Sequence, residues 1–240
     1  MLVARGFMLA LGRVLVLFSI SPVILGCTQG TLRNEPAFSL QPGDLLFQDL
    51  DCGALCTAIE KVTAGYKGAN FSHIGIVAKN AKDDFVVIEA VSSGVEATEL
   101  QTFLRRSLDT KGRPKVIVGR LKEPYQRLIP RAIEEALALK GRPYDKVFEI
   151  GNGAYYCSEL AYEVFMRAND GNLVFMLQPM TFKDPDTGTT LSAWEDYFSE
   201  LDVPIPEGQL GINPGWISRS AVLTIVHRYG LPSRGRLNVK

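Results

Sequence analysis

Two short segments carry residue types that do chemistry together. Residues 71–77 read Phe71-Ser72-His73-Ile74-Gly75-Ile76-Val77, a histidine in an apolar run of strand character. Residues 155–160 read Tyr155-Tyr156-Cys157-Ser158-Glu159-Leu160, a cysteine at the mouth of a helix. The chain of 240 residues has two histidines and four cysteines, so few other pairings exist. A Cys and a His brought together by a fold make a thiolate–imidazolium nucleophile. Its chemistry is transfer of an acyl group to sulfur and then to water or another acceptor.

A third residue fits the pair. Side chains alternate along a strand, so Phe71, His73, Gly75 and Val77 share one face. Gly75 removes bulk beside the histidine and would let a helix approach closely. In the next β-rich run Phe85, Val87, Glu89 and Val91 share a face, which sets a carboxylate among apolar neighbours. A buried carboxylate needs a partner or stays protonated, and a hairpin register would make His73 that partner. Cys157 is then the nucleophile and His73 takes and returns the thiol proton, while Glu89 fixes the imidazole tautomer. Backbone N–H groups at a helix start and a nearby imidazolium both favour the thiolate. The Cys157 N–H is a candidate oxyanion donor, a role worth about 3 kcal/mol in other enzymes. Each residue alone has an ordinary explanation: a small buried Cys, a core His, a Glu paired with any Arg. The joint pattern is what points to catalysis.

The elements that must position these residues follow from periodicity. Pro42-Gly43-Asp44 is a turn before a short strand at 45–48. Residues 55–64 read as a helix ended by Gly65. The runs 71–78 and 85–91 form an antiparallel hairpin across a polar turn holding Asn80 and Asp83-Asp84. Thr98 caps a short helix reaching Arg106, and 115–121 is a strand. Residues 130–140 form an amphipathic helix with Ile133, Ala136 and Leu137 on one stripe and Gly141 past its end. In 157–168, Cys157, Leu160, Ala161, Val164, Phe165 and Ala168 fall on one helical stripe, with the cysteine at its N-terminal end. Residues 169–190 are Gly/Pro-rich and irregular, 192–201 suggest a helix, and 221–227 a last strand.

Arg5, Arg13 and the apolar stretch 14–25 read as a secretory signal, too short for a comfortable membrane span. It ends in Ile24-Leu25-Gly26-Cys27, which resembles a bacterial lipobox and makes Cys27 the lipidated first residue of the mature chain. The alternative is an uncleaved anchor with an incidental Cys. Residues 1–26 are thus assigned to the signal peptide, 27–40 to a lipidated tether, 41–231 to the folded domain and 232–240 to a flexible tail. The mature chain would hold 214 residues, with 24 basic against 26 acidic side chains once Arg5 and Arg13 are removed. That balance gives no polyanion-binding surface, so nucleic acid is not expected as a partner. Cys52 and Cys56 are either a small disulfide of an oxidising compartment or two buried residues at a helix start. No CxxC pair exists and His73 and His227 are the only imidazoles, so no metal and no cofactor is expected.

The motifs resemble those of the YiiX-type cysteine hydrolases, the circularly permuted branch of the NlpC-like papain-fold superfamily. The resemblance is carried in order by Gly43-Asp44-Leu45-Leu46-Phe47, Ser72-His73-Ile74-Gly75-Ile76-Val77, Val87-Ile88-Glu89-Ala90, Gly141-Arg142-Pro143-Tyr144-Asp145 and Tyr156-Cys157-Ser158-Glu159-Leu160. The His strand precedes the Cys helix, as permutation requires. The resemblance implies an α+β, circularly permuted papain-like (NlpC-type) fold, its antiparallel sheet packed against the helix that carries the nucleophilic Cys. It implies Cys157 as nucleophile, His73 as base and Glu89 as third member, with Tyr156 and Tyr144 lining the site. Asp44 is expected to support a turn and His227 to be structural.

Three functions compete. The first is an amidase or peptidase on cell-wall peptides. The second is a thioesterase, lipid hydrolase or acyltransferase on acyl substrates. The third, a non-catalytic envelope binding protein, is opposed by the intact Cys/His/Glu set. An apolar tunnel at Cys157 would favour acyl chains; an open polar cleft with a charged anchor would favour peptides. The expected partners are such a substrate and, through lipidated Cys27, a membrane; the expected state is a monomer. The expected place is the cell envelope, at the outer membrane or periplasm in a Gram-negative host.

Overall fold

Most strand-forming residues here are apolar without alternation, the pattern of strands covered on both faces. The computed structural model describes residues 38–234. It opens with β1 (Leu45–Gln48) and α1 (Ala54–Val62), then β2 (His73–Lys79), β3 (Phe85–Val91) and β4 (Gly94–Glu99). Next come α2 (Leu100–Arg105), β5 (Val116–Leu121), α3 (Ile129–Ala138) and α4 (Cys157–Ala168). The chain closes with β6 (Gln178–Pro179), α5 (Ser192–Glu200), β7 (Leu210–Gly211), α6 (Pro214–Ser218) and β8 (Leu223–Arg228). Six strands form one sheet in the order β4-β3-β2-β1-β5-β8, with every neighbouring pair antiparallel. The architecture is α+β.

One face of the sheet packs on α4 and α3. Leu160, Ala161, Val164 and Phe165 meet Ile74, Ile76, Ile88 and Ile117, with Ala132 and Ala136 beside them. Burying each large side chain contributes about 1.5–3 kcal/mol. The other face packs Leu46, Val77, Val87, Val116 and Val118 against Phe103 and Leu104 of α2, with Leu40 and Phe38 at its edge. The hairpin turn is made as its residues predict: Asn80 Oδ1 accepts from the N–H groups of Lys82 and Asp84. The span of α4 coincides with the stripe read from periodicity, and all six stripe residues are buried.

Several expectations are corrected. Thr98 does not cap a helix; it lies in β4, a strand not foreseen, and α2 begins at Leu100 after Glu99. The hairpin is therefore part of a three-stranded meander, β2-β3-β4. Leu137 turns outward and is exposed, and Ala132 takes its place in the buried stripe of α3. A helix does approach Gly75, but it is α2: an added Cβ would run into Val87 and come within 3.3 Å of the Phe103 ring. The signal stretch, Cys27 and residues 235–240 lie outside the described residues. Of the expected tether, Phe38 stacks on the His227 ring at 4.0 Å and Ser39 accepts from Arg120, so its last residues pack on the fold. Of the expected tail, Ser233 donates its N–H to Asp49 and accepts from Asn70, which ties residue 233 down.

Asp44 supports a turn as expected. It is buried, accepts the Gln41 N–H at 2.8 Å, and takes a two-pronged bond from Arg120 Nε and Nη2 at 2.7 and 2.8 Å. Removing one partner of such a pair leaves a buried charge uncompensated. Arg120→Ala is expected to lower the unfolding free energy by about 3 kcal/mol. Asp44→Asn combined with Arg120→Met should recover much of that loss. Urea unfolding of both variants reads the difference; equal midpoints would mean the pair contributes no more than a surface one.

Candidate active site

The site is assembled where β2 and β3 part. Their ladder runs from Lys79↔Phe85 to Ile76↔Ile88 and stops there, while β3 goes on pairing with β4 through Glu89↔Glu96. His73 begins β2 at this opening, opposite Gln48 of β1. Extending the register sets Gly75 opposite Glu89, so His73 is the diagonal neighbour, still within reach of a long side chain. His73 Nε2 and Glu89 Oε2 are 2.5 Å apart. Both side chains are buried, Glu89 completely.

Glu89 has more partners than the sequence suggested. Arg106 donates Nη1 to Oε2 at 2.7 Å and Nη2 to Oε1 at 2.6 Å. Thr98 Oγ1 donates to Oε1 at 2.5 Å. Burial pushes the Glu89 carboxyl up, but the bonds and charges of His73, Arg106 and Thr98 outweigh it and hold it down at about 2. Burial likewise pushes the His73 imidazole down, but the Cys157 thiol and Glu89 outweigh it and hold it up at about 9. Cys157 is therefore near enough to the ring to enter its proton balance. Nε2 faces Glu89, which turns Nδ1 to the other side of the ring.

Cys157 is the first residue of α4 and the only free cysteine among the described residues; it is buried. The first N–H groups of a helix have no partner within the helix. The loop before α4 is braced by carboxylates. Asp145 accepts from the N–H groups of Val147 and Glu149 at 2.8 and 2.7 Å. Glu159 accepts from Gly151 N–H at 3.0 Å, and burial pushes its carboxyl up to about 8 against that bond. Cys52 and Cys56 are disulfide-bonded, with Cα atoms 5.4 Å apart. The bridge escapes a regular helix because Cys52 precedes α1 and Gly53 turns the chain at φ 82°.

Cys157 opens on a cavity of about 70 Å³ whose walls include Tyr144, Phe148, Tyr156, Phe182 and Trp194. Both sequence-predicted tyrosines thus line it beside the sulfur. Burial raises both hydroxyls above their ordinary range, so they stay neutral. Tyr156 Oη accepts from Ile212 N–H at 3.1 Å, which also anchors the segment before α6. His227 lies apart, stacked between Phe38 and Tyr229. Arg106 and the bonding role of Thr98 were missed. The signal available was a buried carboxylate that one histidine cannot satisfy alone, with an arginine seventeen positions downstream.

Residues 39–227 match a family described as "Permuted papain-like amidase enzyme, YaeF/YiiX, C92 family". A relative from Escherichia coli (strain K12), "Uncharacterized protein YiiX", is 29% identical over 139 residues, which is 57% of this chain. The chain spans 64% of that relative's length. A crystal structure described as metalloprotein yiiX from Escherichia coli O157:H7 superposes with a TM-score of 0.66 at 23% identity. It covers 81% of this chain and all of the other, a likeness of fold. With the match running from the approach to β1 into β8, and the sheet and helices arranged as above, this chain belongs to the permuted papain-like amidase family.

Proposed function

We propose that the protein is a cysteine amidase working through a thiol acyl-enzyme, with Cys157 as nucleophile, His73 as base and acid, and Glu89 as the group that orients the imidazole. The observation that carries this reading is the bonded chain His73–Glu89–Arg106, with Cys157 near the ring as the first residue of α4. The Cys157 thiolate attacks the substrate carbonyl carbon, and the negative charge passes to its oxygen. The unpartnered N–H groups at the start of α4 are suited to stabilise that oxyanion. The imidazolium of His73 gives its proton to the leaving nitrogen, the C–N bond breaks and a thioester remains. His73 then takes a proton from water, the hydroxide attacks the thioester, and the acid and the thiolate are released. Glu89 keeps the ring from turning, and Arg106 keeps Glu89 ionised.

The family suggests amide bonds of envelope substrates, and peptides of the cell wall are the first candidates. Acyl esters or thioesters are the second, favoured by the apolar character of the cavity at Cys157. One relative is described as a metalloprotein; among the described residues of this chain no group of three His, Cys, Asp and Glu is placed to hold a metal ion. No step here runs through one. The Cys52–Cys56 disulfide supports an oxidising compartment, in line with export and lipidation at Cys27.

An acyl-transferring activity probe is expected to label Cys157, as read by mass spectrometry of the peptide. Cys157→Ala should abolish labelling and His73→Ala slow it by about 10²–10⁴-fold. Labelling that His73→Ala leaves unchanged would remove His73 from the mechanism. Stability should follow the same pair. His73 in the folded protein holds its proton up to about pH 9, whereas an unfolded His loses it near 6.5. Its contribution is therefore complete below pH 6.5 and is lost as the pH rises through 9, by up to about 3 kcal/mol. Urea unfolding across pH 6–9.5 checks this, with His73→Gln expected to flatten the slope. Cys27→Ser should release the protein from membranes; undiminished retention after a salt wash would refute the lipid anchor.

A further inference from the structure

The cavity beside Cys157 has a composition of its own. Ile59 and Val62 of α1, Met180, Phe182, Phe148 and Trp194 form much of its wall, and no charged side chain lines it. Four of its polar lining residues are bonded within the protein. Ser72 Oγ donates to Glu60 at 2.9 Å, and Ser158 Oγ donates to the Ile212 carbonyl at 3.0 Å. Thr181 Oγ1 donates to Glu207 at 3.0 Å. Asn213 donates to Thr63 at 2.7 Å and accepts from Trp216 N–H at 2.9 Å. Apart from the Cys157–His73 pair that the reaction uses, a free carboxylate or ammonium entering here would find no counter-charge in the lining and would be desolvated without compensation.

One further feature sets the cavity apart. Phe148 holds φ at 58°, a conformation that bulky residues avoid, so that its ring meets those of Tyr156 and Trp194 edge to face. Strain of this kind persists where the surroundings fix it, often at functional sites. At about 70 Å³ the cavity is roughly half the ~150 Å³ that takes a benzene ring, which corresponds to about three carbon atoms.

We propose that this cavity is the acyl-side selectivity pocket, taking a short, uncharged, apolar group of about three carbon atoms attached to the scissile carbonyl. The inference rests on Cys157 being the nucleophile. The acyl side is assigned because the acyl group stays on the sulfur through both half-reactions, whereas the leaving group departs after the first. An apolar wall beside the sulfur suits the part that remains.

The test is hydrolysis of p-nitrophenyl esters by the full chain, with Cys157→Ala as the blank. Acetyl, butanoyl, hexanoyl and decanoyl esters vary the length, and the monosuccinyl ester adds a charge at similar size. The value of kcat/KM should rise roughly fourfold per added methylene as far as butanoyl and then level or fall. The succinyl ester should be no better than acetyl. Val62→Phe should shift the preferred chain shorter and Ile59→Ala should shift it longer. Opposite shifts in two variants do not arise from a general loss of folding. A flat length dependence, or a preference for succinyl, with Cys157-dependent acetyl turnover intact, overturns the pocket and leaves the cysteine mechanism standing. Absence of acylated Cys157 with every ester overturns both.

Discussion

A carboxylate with no exposure to water must either lose its charge or be surrounded by groups that keep it. Glu89 is in that position, and it is surrounded: an imidazole, a guanidinium and a hydroxyl occupy its two oxygens. These partners come from β2, from the turn that follows α2, and from β4. Satisfying one buried side chain therefore fixes three parts of the chain against each other. Removing any one of them would leave a desolvated charge in a medium where that is costly. The constraint also sets the imidazole, because the oxygen that accepts from Arg106 Nη1 faces His73 Nε2 as well. The ring's other nitrogen is thereby aimed by a group that cannot move without breaking the pair with Arg106.

The same constraint explains the local topology. A regular continuation of the β2–β3 ladder would set Gly75 opposite Glu89 and leave His73 as the diagonal neighbour on the same face. The ladder stops after Ile76↔Ile88, and Gly75 carries no side chain to block the space that Val87 and Phe103 fill. His73 lies on the face turned toward α2, whereas its neighbours Ile74 and Ile76 pack on α4. The end of the strand is where a side chain of the first face can meet the N-terminus of a helix lying on the second. Cys157 occupies that N-terminus, so the distance between the two residues depends on where the ladder ends.

The sequence was informative where one element's own pattern decides its structure. Six apolar positions in 157–168 define a helix and its buried face without help from the rest of the chain, and the span came out to the residue. The polar turn at Asn80 is local in the same sense. The readings that failed depend on distant partners. Thr98 has the chemistry of a helix cap, but its hydroxyl is drawn to Glu89 across a strand pair. Leu137 fits a helical stripe by spacing, yet where α3 meets α4 the contact is made through Ala132 and Ala136. Arg106 carried no periodic signal at all, since a side chain that reaches back from a turn obeys no period.

The site is divided chemically at Cys157. On one side lies the ion network of His73, Glu89 and Arg106; on the other lies an aromatic cavity without charge. Charge interactions grow as water is excluded, so an apolar wall beside the sulfur strengthens whatever charge the network places there. On the proposed reading, the same wall would favour uncharged carbonyl compounds at the sulfur. Selectivity and activation would then share one cause: the lack of charge on the cavity side that would disfavour an ionic substrate also keeps water from screening the buried imidazole and its carboxylate.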